Sequence, residues 1–151
     1  MVARHPQPLS PQMEDYLEAI LGLEQAGVLP RCSRIAKALG VSPASVTSAV
    51  KALAARGAVE YDPYGPVRLT PEGRRLAEAV AARHEALGVF LEQILGIAKD
   101  RAQALACRLE HALEGDAAAR LRVLNRFLLA RPRLIGELRA AMNERTLPDE
   151  P

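Results

Sequence analysis

Apolar residues recur at helical spacing along most of the chain, and the period changes once. Ser10 followed by Pro11 is an N-cap with proline in the first turn, and Tyr16, Leu17, Ile20, Leu21 and Leu23 then follow one face, predicting a helix over 11–26. Ser33 can cap a short second helix that carries Ile35, Ala36 and Leu39 and stops at Gly40. Ser42-Pro43 repeats the cap-plus-proline start, and Val46, Val50 and Leu53 line a third helix ending near Arg56-Gly57. Two β-prone runs, 58–61 and 67–69, then flank the turn-forming Asp62-Pro63-Tyr64-Gly65-Pro66 and predict a hairpin. Thr70-Pro71 opens a long fourth helix expected to reach Gly96. Asp100 is expected to cap a fifth helix continuing to about Glu114, Asp116 a sixth through Leu128, and Pro132 to start a seventh. The expected fold is mainly α with one small β-hairpin, an N-terminal winged helix-turn-helix followed by an all-helical domain. The boundaries expected are 1–74 for the first domain, 75–145 for the second and 146–151 for a frayed tail.

Composition agrees with this pattern. The 151 residues are 49% hydrophobic but only 3% aromatic, so the core must be built from Ala, Leu, Val and Ile, and a disordered chain is excluded. No apolar run approaches the roughly 20 residues needed to cross a bilayer, and MVARHPQPLSPQ lacks the apolar core of a signal peptide. The expectation is therefore a cytoplasmic protein with no membrane partner. Cys32 and Cys107 are too few for a disulfide framework.

A net charge of +2 becomes informative when it is resolved along the chain. Residues 25–59 contain no Asp or Glu but hold Arg31, Arg34, Lys37, Lys51 and Arg56, whereas residues 1–24 set Glu14, Asp15, Glu18 and Glu24 against Arg4. The acid-free window coincides with the helix, turn and helix of a winged helix-turn-helix, whose last helix enters the major groove. The third helix presents Ser42, Pro43, Ala44, Ser45, Thr47, Ser48 and Lys51 away from its apolar stripe. Short hydroxyl side chains allow close approach to DNA, while Lys51 and Arg56 supply charge that displaces counterions, and Arg34 and Arg68, the latter beside the wing, are further candidate contacts. The other reading of this surface is a winged helix used for protein contacts, in which the hydroxyls are a solvated face.

A second constellation concerns a cation. Asp15 and Glu18 are one turn apart on the first helix, so their carboxylates share a face and repel each other. Cys107, Glu110 and His111 stand at i, i+3 and i+4 on the fifth helix, offering sulfur, oxygen and nitrogen. His84 lies on the fourth helix, and His5 falls near the N-terminus. Such a donor set suits a divalent transition ion better than Mg²⁺ or Ca²⁺. Taken singly, each piece is also what a solvated acidic face, a packed histidine or a core cysteine looks like.

Several stretches, taken in order, resemble the diphtheria toxin repressor family, and within it most of all the manganese transport regulators. They are Met13-Glu14-Asp15-Tyr16-Leu17-Glu18-Ala19-Ile20, Ile35-Ala36, Leu39-Gly40-Val41-Ser42, Ser45-Val46-Thr47 with Val50, Tyr64 with Leu69-Thr70 and Gly73, Arg83-His84-Glu85, and Cys107-Arg108-Leu109-Glu110-His111. The resemblance implies a homodimeric, metal-activated repressor that binds double-stranded operator DNA. It places metal ligands at Asp15, Glu18, His84, Glu110 and His111. Cys107 stands where the manganese pattern has a bridging Glu and matches the iron-responsive pattern, whereas Asp15 departs from the iron pattern, which has Met there. Gly88 and Gln103 stand where the iron-responsive branch has accessory ligands. Mn²⁺ is the favoured cofactor and Fe²⁺ the alternative, with one principal metal as plausible as a binuclear centre. Phe90, Leu91, Leu124, Phe127 and Leu128 are candidates for the dimer interface or for intrachain core. The chain has no His-Glu-x-x-His helix and no nucleophile elbow, so neither an enzyme nor a small-molecule substrate is expected. A winged-helix regulator or protein-binding module that ignores metals remains the other reading.

Overall fold

The computed structural model describes residues 9–144, so His5 and the tail 146–151 lie outside the described residues. The chain divides into two compact units after Ala81. The first contains α1 (Pro11–Gln25), α2 (Cys32–Leu39), α3 (Pro43–Ala55), β1 (Val59–Glu60), β2 (Arg68–Leu69) and the start of α4 (Pro71–Val89). Its core is an aliphatic cluster of Leu17, Ile20 and Leu21 from α1, Ile35 from α2, Val46, Val50 and Leu53 from α3, and Val59 and Val67 from the hairpin, with Tyr16 as its one buried aromatic residue.

Local chemistry sets the ends of these helices. Ser10 Oγ accepts from Met13 N at 3.3 Å, and Ser42 Oγ accepts from Ser45 N at 3.1 Å, each satisfying an amide that the first turn cannot. Gly40, at φ 64°, closes α2 in the left-handed region, and the chain bends by 110° between α2 and α3, as a helix-turn-helix requires. The expected Ser33 cap is not used: α2 begins at Cys32, with Arg31 in the cap position and no side-chain cap. The strands pair antiparallel, Val59 with Leu69 and Glu60 with Arg68, and are only two residues long. At the tip between them, Asp62 Oδ1 accepts from Tyr64 N at 3.0 Å, and Tyr64 is 92% exposed.

Thr70 fastens the hairpin to α4. Its hydroxyl contacts the carbonyl oxygens of Gly57 (2.6 Å) and Ala58 (3.1 Å) and accepts from Gly73 N (3.0 Å). The backbone of α4 comes so close to Ala58 that a Cβ at Gly73 would lie 1.7 Å from the Ala58 carbonyl oxygen.

The second unit holds the rest of α4, a π-helical turn over Phe90–Ile94, α5 (Lys99–Leu109), a single 3₁₀ turn over Glu110–Ala112, α6 (Gly115–Leu129) and α7 (Pro132–Glu144). Its core cluster joins Leu87 and Leu91 to Ala102 and Ala106. Three sequence expectations are corrected here. The fourth helix does not stay α-helical to Gly96, because it widens at Phe90, where Leu95 N bonds to Phe90 O at 3.0 Å. Arg139 of α7 donates to the carbonyls of Glu92, Gln93 and Ile94 at that helix end, and the Glu92 carbonyl also accepts from Gly96 N at 3.1 Å. The fifth helix begins at Lys99 rather than behind an Asp100 cap and stops at Leu109, so Glu110 and His111 lie in a 3₁₀ turn. The sixth begins at Gly115 with no side-chain cap, not behind Asp116.

Gly73→Ala should destabilise the protein by about 3 kcal/mol in urea denaturation, the scale of overpacking against an atom that cannot move aside. Ser42→Ala should cost about 1 kcal/mol in the same measurement through loss of the α3 cap.

Candidate metal centre and DNA-binding face

The helix-turn-helix exposes Arg34, Ser42, Pro43, Ala44, Ser45, Ser48 and Lys51, and the wing exposes Arg68. Not all of the hydroxyls expected on this face are directed outward. Ser42 Oγ and Ser45 Oγ lie 2.8 Å apart, and Thr47, half-buried, returns its hydroxyl to Pro43 O at 3.0 Å. Ala44, Ser48 and Lys51 therefore offer the least encumbered contacts on α3, with the Arg34 and Arg68 charges beyond them. Within the same unit, Asp15 and Glu18 are both half-buried on α1, one turn apart.

The second unit gathers His84, Gln103, Glu110 and His111. His84 reaches Glu110 because α4 is still regular at residue 84, and Glu110 turns inward because α5 tightens to a 3₁₀ turn at that residue. Glu110 is fully buried (0% exposed), with Oε2 2.5 Å from His84 Nδ1. Its other oxygen, Oε1, is buried without a hydrogen bond; His111 Nε2 is the near polar atom at 3.6 Å, too far to satisfy it. The second nitrogen of His84, Nε2, lies 2.8 Å from Gln103 Oε1. Cys107, one turn before Glu110, is exposed.

A buried carboxylate with an unsatisfied oxygen costs about 1–3 kcal/mol or more. A divalent cation removes that cost, since it takes the oxygen as a ligand and supplies the charge the carboxylate lacks. The residues thus fit a transition ion: an imidazole nitrogen, a carboxylate with a spare oxygen, a second imidazole and a thiol one turn away. Sequence spacing had pointed to Cys107, Glu110 and His111 as one face of a continuous helix. The 3₁₀ turn instead separates them by depth, with Glu110 inside, His111 half-buried and Cys107 outside. The sequence gives Gln103 no role as a ligand, and its bond to His84 Nε2 appears only in the fold. Its position four residues before Cys107 and seven before Glu110 carries the signal that would have placed it on the same side of α5.

Of the residues considered for an interface, Leu91 belongs to the core of the second unit, and Phe90 and Leu128 are half-buried. Leu124 and Phe127 are exposed, Phe127 by 50%, and with Val123, Leu129, Leu134 and Leu138 they leave an apolar surface on α6 and α7.

Comparison with known proteins agrees with both halves of this description. Residues 8–67 match the iron dependent repressor N-terminal DNA binding domain, and residues 70–134 match the iron dependent repressor metal binding and dimerisation domain. The chain is 33% identical over 138 residues to the HTH-type transcriptional regulator MntR of Lysinibacillus sphaericus, covering 91% of this chain and 99% of that protein. It is 35% identical over 108 residues to the diphtheria toxin repressor of Corynebacterium glutamicum, covering 72% of this chain and 47% of that one. Among solved structures, a manganese-dependent transcriptional repressor in complex with manganese superposes with a TM-score of 0.70 at 32% identity, covering 76% of this chain and 53% of that one. The chain spans about half the length of several of the solved structures it matches. With matches to both domains across nearly all of its described length, the chain belongs to the iron-dependent repressor family, whose members are transcriptional repressors and not enzymes.

Proposed function

We propose that this protein is a cytoplasmic, homodimeric repressor that binds operator DNA when loaded with a divalent transition metal, and that it controls genes of metal uptake or homeostasis. The observation that carries the metal requirement is Glu110, a fully buried carboxylate with one oxygen paired to His84 and the other without a hydrogen bond. When bound, the metal supplies a fixed positive charge that several anionic and neutral donors can share. Glu110 and His84 would hold it, with His111 and Cys107 available beside them. Asp15 and Glu18 would complete the set from α1. Their support is the sequence resemblance and their shared helix face, which brings two like charges together.

On the sequence resemblance, ligands at Asp15 and Glu18 in the DNA-binding unit and at His84, Glu110 and His111 in the second unit would make DNA binding depend on metal. In the metal-free protein the carboxylates repel one another; in the loaded protein they attract a common ion. A ligand can shift such an equilibrium only by its differential affinity for the two conformers, and coupling of about 1–3 kcal/mol is the usual scale. The apolar residues on α6 and α7 support pairing with a second copy, and a two-fold dimer would offer one α3 to each half-site.

Manganese is the favoured ion. The oxygen-rich set contributed by Asp15, Glu18 and Glu110 suits Mn²⁺, and among the similar proteins a regulator named MntR covers 91% of the chain. Cys107 favours a softer ion such as Fe²⁺, but it is exposed, so a metal could be held without it.

Fluorescence anisotropy with labelled promoter DNA should show tight binding with Mn²⁺ and loss of affinity by about 5–150-fold in chelator, the range of that coupling energy. Equal affinity in chelator, Mn²⁺, anaerobic Fe²⁺ and Zn²⁺ would exclude metal control and leave a regulator indifferent to metals. Glu110→Gln should lower Mn²⁺ affinity by at least about 10-fold, because the buried oxygen keeps its place but loses its charge. Isothermal titration of the purified variant checks this, with urea denaturation to confirm that it remains folded.

A further inference from the structure

We propose that Gln103 is a positioning residue that fixes which nitrogen of His84 faces the metal, an inference that rests on the metal-responsive reading above. His84 is held at both ring nitrogens, Nδ1 by Glu110 Oε2 at 2.5 Å and Nε2 by Gln103 Oε1 at 2.8 Å. An amide oxygen can only accept, so the hydrogen of that bond sits on Nε2. Nδ1, the nitrogen turned to the buried carboxylate, is then the one whose lone pair becomes available when a cation displaces the proton it shares with Glu110. A neutral imidazole carries a single ring hydrogen, and the bond made by one nitrogen decides what the other can do. Were the amide nitrogen turned to Nε2 instead, the hydrogen would be driven to Nδ1 and the ring would meet Glu110 only as a donor, closed to a metal.

The neighbouring position is matched to this arrangement. Gly88 is buried on α4, and a Cβ there would come within 3.0 Å of Gln103 Nε2. The glycine thus leaves room for the amide, whose nitrogen end lies against α4 while its oxygen end accepts from His84.

The test uses the full chain. Nitrogen-15 imidazole spectra of the zinc-loaded wild type should show the His84 hydrogen on Nε2, and this measurement needs no variant. Gln103→Met removes the acceptor at nearly constant volume and should weaken Mn²⁺ binding by about 10–100-fold, the usual effect of losing a partner behind a metal ligand. The unfolding midpoint of the metal-free protein should stay the same. Gln103→Glu keeps an accepting oxygen and should bind Mn²⁺ as the wild type does. A hydrogen on Nδ1 in the zinc-loaded protein, unchanged affinity in Gln103→Met, or equal losses in Gln103→Met and Gln103→Glu would overturn the assignment. Failure of the wild type to bind Mn²⁺, Fe²⁺ or Zn²⁺ would instead overturn the metal-responsive reading itself.

Discussion

The second unit is organised around one carboxylate. Glu110 is surrounded by protein, with His84 on one oxygen and no hydrogen bond on the other. A charge in that position is unfavourable unless something shares it, and the surrounding chain is arranged as if something does. The 3₁₀ turn at residues 110–112 aims the side chain inward, α4 brings an imidazole to it, and α5 provides the amide that holds the imidazole's far side. Each of these would be an inefficient way to build a core. Together they are an efficient way to keep a ligand position open.

Departures from regular helix mark both ends of this arrangement. The π-helical turn at Phe90–Ile94 ends the run from α4, and its last carbonyls are capped by the amides of Leu95, Gly96 and Ile97 together with Arg139 from α7. The 3₁₀ turn does the corresponding job after α5. Small side chains make the close packing possible: Ala86 and Gly88 on α4, Ala102 and Ala106 on α5 are all buried, and Asn125 of α6 donates to the Ala86 carbonyl at 2.8 Å. The low aromatic content of the chain is therefore a packing choice, since backbones must approach one another for polar groups of different helices to meet.

The first unit is built on a different principle. Most of its polar groups lie at the edges, where caps at Ser10, Ser42 and Thr70 settle the helix starts, and its centre is aliphatic apart from Tyr16. The outward residues of α3 and the wing then face solvent with net positive charge and little bulk. A surface of this kind meets a polyanion through phosphate contacts and reads bases with a few short side chains.

The sequence by itself determined the order of elements, because caps, prolines, left-handed glycines and apolar spacing act over only a few residues. Ser10-Pro11, Gly40 and Ser42-Pro43 place three helix ends in this way, and the acid-free window marks out a basic face around the helix-turn-helix. The chemistry of the candidate ligands was also legible as residue types in a recognisable order. Tertiary structure decided which of them are buried and what each touches. The 3₁₀ turn that separates Glu110 from Cys107 in depth, the π-turn that shortens α4 and the bond from Gln103 to His84 all depend on side chains 19 or more residues away in the chain. Local propensity has no term for such contacts. Burial of a charge, and the partner that makes it tolerable, are properties of the assembled unit.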